Sequence, residues 1–314
     1  MPLCNSYRYT GTGPGNWRIE VPKARALVRL REVTVSGRLV PKELARIAAG
    51  SATRRYVRDP NGYIIEPLDG DIHFQLGART ARNGHVGCEL QNATASELAA
   101  FGTAVGKAMT VGGFFRCLFE HPGFQKQIAD AHIFEIHPVR LVDPLAGKAR
   151  SFDVDIPKST GIHLWVGQHI DCNALDGGMS VSYARKTDTL TFRGMIGEDK
   201  NYVQIAGTAS TVSTVASDLA ATFTFTSPDT RQAHEVTCLS GTRALRQLRG
   251  LPRAGGDIWL IAVRGIDLTQ ALAGRYAITL LAIDIRARSS GPAVQPASLC
   301  PICLGLTTAS RTSS

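Results

Sequence analysis

No apolar run in this 314-residue chain approaches the roughly 18 residues needed to cross a bilayer. Met1 to Glu20 shows neither a basic start nor an apolar h-region, so no secretory signal is expected and the expected compartment is the cytoplasm. The usual marks of catalysis are also missing: there is no Gly-x-Ser-x-Gly, no His-Glu-x-x-His, no Walker loop and no dinucleotide fingerprint, and no cofactor follows from the sequence. The glycines at 11, 13 and 15 do not form a phosphate loop, because the lysine is absent and Pro14 removes an amide that would cradle an anion. Cysteines number seven, an odd and scattered set that excludes a disulfide framework as the organising device. Cys300-Pro301-Ile302-Cys303 has the spacing of half a zinc site or a redox pair, but no second Cys/His pair lies near it.

Lysine is scarce too. Of 35 basic residues 27 are Arg and 8 Lys, and the net charge is +9 with a pI near 9.4. The charge favours an anionic partner such as nucleic acid or another polyanion. No membrane association is expected, and nothing in the sequence sets an oligomeric state.

What is present is strand periodicity. In Leu68 to Leu76, Asp69, Asp71, His73 and Gln75 alternate with Ile72, Phe74 and Leu76. In Ala131 to Val139, Glu135 and His137 alternate with Phe134 and Ile136. A long first strand over Ala26 to Val40, broken at Gly37, comes before them. Further strands fall at His85 to Leu90 and Met109 to Phe115. Between these two lies the best helix of the chain, from about Ser96 to Ala108, preceded by Thr94 with capping-box spacing to Glu97. Three strands, a helix and two strands in about 120 residues match an OB-type barrel whose helix plugs one end between the third and fourth strands.

These residues carry a resemblance. Asp69-Gly70-Asp71-Ile72-His73, the Val86 to Leu90 strand, Val111-Gly112-Gly113-Phe114-Phe115, His121 and Glu135-Ile136-His137-Pro138-Val139 resemble, in that order, a small bacterial β-domain of unknown function. The resemblance covers residues 25–143, departs at Phe124 to His132, and implies a fold and a polar residue set but no activity.

The sequence thus divides into a flexible leader (1–24), an OB-like barrel (25–143), a linker (144–158), a second β-rich domain (159–288) and a disordered tail (289–314). In the second domain, strands at 202–208, 221–226, 235–239, 257–264 and 276–285 and a helix over 240–251 suggest a related barrel. The hairpin at 179–195 is assigned to the same domain.

Two polar sets deserve separate readings. Asp69, Asp71, His73, His121, Glu135 and His137 form a candidate polar cluster. Carboxylates and imidazoles two apart on strands project the same way and suit a divalent metal. The competing reading, a solvated barrel face, is preferred because zinc sites usually show tighter His/Cys spacing. Arg243, Arg246, Arg249 and Arg253 advance by three or four residues and form a candidate anion-binding stripe on a helix, or simply its solvated face. The leading expectation is a non-catalytic binding or scaffold protein for nucleic acid or another anionic ligand. The alternatives are a metal-dependent hydrolase acting on phosphodiesters and a structural component of a larger assembly.

Overall fold

The structure is a computed structural model and describes residues 7–11, 17–28, 30, 32–39, 57–58, 64–65, 72–77, 85–90, 95–121, 132–152, 179–194, 202–214, 220–227, 233–252 and 255–288. The chain begins with a hairpin of β1 (Arg8–Gly11) and β2 (Trp17–Pro22), then one helical turn, α1 (Ala24–Leu27). The first strand of the following barrel, β3, therefore starts only at Glu32 and runs to Leu39. The strands β4 (Val57–Arg58) and β5 (Ile64–Ile65) pair with each other in the connection to β6 (Ile72–Gly77). Next come β7 (His85–Leu90), α2 (Ala95–Ala104), β8 (Ala108–His121) and β9 (His132–Leu145). Helix α2 is shorter than expected from the sequence, since Gly106 takes a positive φ of 76° and turns the chain into β8.

The five long strands order as β9, β7, β6, β3, β8, and β8 closes back on β9. Only the β7–β9 pair is parallel. Numbered within the barrel, the order is 5-3-2-1-4, with a helix between the third and fourth strands. That is the OB topology.

The sequence reading placed a linker after this barrel, but β10 (Lys148–Ser151) folds back on β9, with Lys148 opposite Leu145. Ala146 and Gly147 both take positive φ, 52° and 80°, which is the two-residue turn that matches strand twist. The hairpin of β11 (Met179–Ala184) and β12 (Thr189–Gly194) lies outside the second barrel altogether. Strand β12 pairs with β2 in a four-stranded sheet ordered β1, β2, β12, β11. Matching apolar faces explain the placement: Ile19 sits opposite Phe192 and Val21 opposite Leu190, and all four join the core cluster of the first barrel. The leader expected to be flexible thus supplies two strands of this sheet. The tail from Ser289 and the expected helix at Lys42 to Ala49 lie outside the described residues.

At the turn of the β11–β12 hairpin, Asp188 ties the sheet to α1. Its carboxylate accepts from the Arg25 backbone N–H and Nε, both at 3.2 Å, and from the Tyr183 hydroxyl at 2.8 Å. Burial opposes its ionisation, but these donors outweigh that and hold the carboxyl below its ordinary value. A lowered folded-state value means that the stabilisation is present above the unfolded value near ~3.9 and is lost as pH falls through the folded one. Asp188→Asn is expected to cost under about 1 kcal/mol near neutrality, because solvent screens the pair. In thermal melts across an acid series, the gap between wild type and variant should close below about pH 4.

The second barrel comprises β13 (Tyr202–Thr214), β14 (Ala220–Thr226), β15 (Ala233–Leu239), α3 (Arg243–Arg249), β16 (Gly256–Ile266), the short helix α4 (Leu268–Leu272) and β17 (Ile278–Ala287). It is closed in the order β13, β14, β15, β17, β16, again with the third and fifth strands parallel. The related barrel suggested by the sequence is therefore a second OB fold. Alternation builds its interior: Ala221, Phe223 and Phe225 point in while Thr222, Thr224 and Thr226 stay partly exposed. Helix α3 adds Leu245 and Leu248 to that core, and its N-cap Thr242 accepts from the Leu245 N–H at 3.2 Å.

Gly207 marks where β13 is packed most tightly. A Cβ there would sit 2.4 Å from both Cζ of Phe225 and the carbonyl oxygen of Thr226. Because Phe225 is fully buried, neither neighbour can yield cheaply, and Gly207→Ala should destabilise by about 1–3 kcal/mol. Urea denaturation would read the loss as a lower midpoint.

Candidate functional site

The polar residues of the first barrel form a row across its sheet. His73 on β6 is opposite Glu89 on β7, Gly87 pairs with Glu135 on β9, and Arg116 on β8 is opposite Glu135. Alternation sends Phe74, Cys88, Phe134, Ile136, Phe115 and Cys117 into the core. The intervening Glu89, Glu135, His137 and Arg116 therefore project from the barrel's outer side, yet all four are buried, at 0%, 0%, 0% and 3% exposure.

The second barrel covers them. Arg116 Nη1 donates to the Arg264 carbonyl on β16 at 3.1 Å, and the Cα of Gly265 faces Arg116 so closely that a Cβ would meet the Arg116 Cβ at 3.4 Å. Phe114 and Leu118 flank Arg116 on its side of β8, and Ile261 and Val263 precede Gly265 on its side of β16; all are buried. A second tie runs from Arg140 of β9, which donates from Nη2 to the Ser240 carbonyl at 3.1 Å and from Nη1 to Glu32.

Within the buried group, Arg116 Nε donates to Glu135 Oε2 at 2.7 Å and Nη2 reaches both Glu135 Oε2 and Glu89 Oε2, the latter at 3.4 Å. His137 Nδ1 contacts Glu89 Oε2 and lies 3.9 Å from Glu135 Oε2. Two carboxylates thus share one guanidinium fork and one imidazole. Charge-assisted bonds of this kind are the strong ones, and they offset the desolvation of the ions only while every member stays in place.

Ligand atoms of Glu89, Glu135 and His137 lie within 4.8 Å of one another, so the set has the composition of a three-ligand metal site. The Arg116 guanidinium already supplies the compensating cation at the same carboxylate oxygens, which disfavours a further divalent charge there.

The expected polar cluster is thus only partly assembled. Glu135 and His137 come together, but in a buried interface, and the solvated-face reading is wrong for both because a second barrel packs on that side. His73 does not lie beside Glu135, since β7 runs between their strands. His121 pairs with His132 at the far end of β8; Asp69 and Asp71 lie outside the described residues, as do the side chains of His73 and His121. Sequence reasoning missed Glu89 and Arg116. A signal existed for Arg116, the one charge within Phe114-Phe115-Arg116-Cys117-Leu118-Phe119, because an ion inside an apolar run on a strand is a buried ion in need of a partner.

The arginine stripe also divides. Arg243 Nε lies 3.2 Å from Asp284 Oδ1, and buried Asp284 also accepts from Gln247 Nε2 at 2.6 Å and Arg286 Nε at 2.7 Å. Arg243 is therefore committed to holding α3 against β17. Arg246 donates to the Gly241 carbonyl and remains exposed, as does Arg249; Arg253 lies outside the described residues. The thiols of Cys88, Cys117 and Cys238 are buried. Burial pushes the Cys238 thiol up to about 12, which leaves it inert as a nucleophile. Cys300 and Cys303 lie outside the described residues. No helix among the described residues is long and apolar enough to cross a membrane.

No family model matches the chain, and no curated protein does. Among solved structures it is similar to the wild-type single-stranded DNA binding protein from Thermus aquaticus, at 12% identity over 82% of this chain and 92% of that one, with a TM-score of 0.22. The OB assignment rests on the strand order and pairing of each barrel.

Proposed function

We propose that the protein is a non-catalytic binding protein for single-stranded nucleic acid, built on two OB barrels held side by side. The observation that carries this reading is the repetition of one strand order in one basic chain. OB barrels offer the face of their second and third strands and the adjoining loops to oligonucleotides, and a net charge of +9 draws phosphate. In the first barrel, the connection between β3 and β6 carries Arg54, Arg55 and Arg58 beside Tyr56 and Tyr63, the mixture of cations and rings that single strands use. The matching face of the second barrel carries Thr222, Thr224 and Thr226 on β14 opposite Thr237, Glu235 and Ala233 on β15, without a ring to stack on among the described residues, so stacking falls to the first barrel.

Fluorescence anisotropy with labelled single-stranded and duplex oligonucleotides, titrated with salt, tests the proposal. Tighter binding to the single strand is expected, with log K falling linearly as log salt rises. No binding of either at low salt would sink it.

A further inference from the structure

The four-stranded sheet outside the barrels has an unusual outer face. Its inner side is apolar, with Ile19, Phe192 and Val181 aligned across three strands and Val21, Leu190 and Tyr183 in the next row. Strand alternation turns the other residues outward. One outward row reads Thr10, Arg18, Arg193, Ser180 across β1, β2, β12 and β11; the neighbouring row reads Arg8, Glu20, Thr191, Ser182. Arg8 is 78% and Arg18 43% exposed in the side chain, and Arg193, Ser180 and Ser182 are exposed.

Two features need an explanation. Arg18 and Arg193 are direct cross-strand partners, and like charges directly opposite destabilise a sheet. The described residues of the sheet, Lys23, α1 and the β11–β12 turn hold seven basic residues against two acidic ones, Glu20 and Asp188. That is +5 of the chain's +9 in about a tenth of its length. Both acids are already engaged, Glu20 with Arg8 and Arg18, and Asp188 with Arg25. On the face itself Arg8, Arg18 and Arg193 stand against Glu20 alone, a grouping that sheet stability argues against.

We infer that this face is a docking surface for the phosphate backbone of single-stranded nucleic acid, with Arg18 and Arg193 as its central contacts. Phosphates lying along the Arg18–Arg193 row would relieve the repulsion between the two guanidiniums, and Arg8 and the Thr10 and Ser182 hydroxyls supply further donors beside it. The inference rests on the nucleic-acid reading above and adds to it a phosphate-binding face outside both barrels. The exposed arginines of α3, Arg246 and Arg249, are the rival site.

Full-length protein carrying Arg18→Ser with Arg193→Ser is compared with Arg246→Ser with Arg249→Ser and with wild type, using a labelled oligothymidylate in a salt titration. Both pairs contain exposed side chains, so thermal melts should match wild type or, for the sheet pair, exceed it. The sheet pair is expected to bind roughly tenfold or more weakly at low salt and to lose about 1.4 from the log–log slope, ~0.7 per phosphate contact on a single strand. The α3 pair should stay within about twofold in affinity, since a solvated helix face contributes little. Arg18→Lys with Arg193→Lys should keep the wild-type slope, because it keeps both charges. A sheet pair that retains the wild-type slope, or an α3 pair that loses as much, overturns the location and leaves nucleic-acid binding standing. Wild type that binds no single strand overturns both.

Discussion

Arg116→Ala is expected to destabilise the protein by about 3–5 kcal/mol, the cost of removing one partner from a buried ionic group. Its guanidinium bonds Glu135 through two nitrogens, reaches Glu89 and caps the Arg264 carbonyl of the second barrel. Alanine would leave two carboxylates at zero exposure without their main cation, and a β16 carbonyl without its donor. The loss should appear in guanidinium denaturation, together with separation of the two barrels' transitions where wild type shows one. The same physics gives the control. Arg116→Met combined with Glu89→Leu and Glu135→Leu removes the desolvation burden along with the bonds and should recover most of the loss, since well-packed apolar replacements of buried ion groups are often neutral. A single Arg116→Ala within about 0.5 kcal/mol of wild type, the range of an ordinary surface change, would contradict the clamp.

Phe101→Ala is expected to cost about 3–5 kcal/mol, the range for deleting a buried aromatic ring. Helix α2 closes the end of the first barrel, and Phe101, 1% exposed, is the ring it inserts. The ring centroid lies 5.0 Å from that of Phe74 and 6.4 Å from that of Phe152. Both partners belong to strands or segments fixed by the barrel, Phe74 on β6 and Phe152 just after β10, so the cavity cannot close by a simple side-chain shift. Ala99→Ser, on the exposed side of the same helix, should change stability by less than about 0.5 kcal/mol. Denaturant midpoints for the two variants make the comparison; equal midpoints would mean that α2 does not plug the barrel.

Both barrels were legible in the sequence because some of their strands alternate and because helical spacing marks one helix in each. The Ala221, Phe223, Phe225 alternation and the Leu245, Leu248 spacing each admit one element type. The sheet of β1, β2, β12 and β11 was not legible. Its two hairpins lie more than 150 residues apart in the chain, and nothing local says that the apolar face of Ile19 and Val21 belongs opposite Leu190 and Phe192. The turn at Ala146-Gly147 was hidden for a simpler reason: alanine rarely takes positive φ, so the pair does not look like a hairpin turn. The site was half legible. Period-two alternation identified Glu135 and His137 as one face, but whether an outer barrel face meets solvent or another barrel depends on packing between units, which no strand pattern records. Arg243 shows the same limit: its spacing matched an anion-binding stripe, while its partner, Asp284, stands 41 positions later on β17.

Thermal melts of the full chain with and without a chelator decide whether Glu89, Glu135 and His137 form a guanidinium-compensated clamp between two barrels or a metal centre. The clamp requires coincident melts, and a wild-type transition that neither rises with added divalent cations nor falls when they are stripped. A chelator-induced drop in the wild-type melt that disappears in Glu89→Gln would contradict it and return the buried carboxylates to the metal-dependent reading.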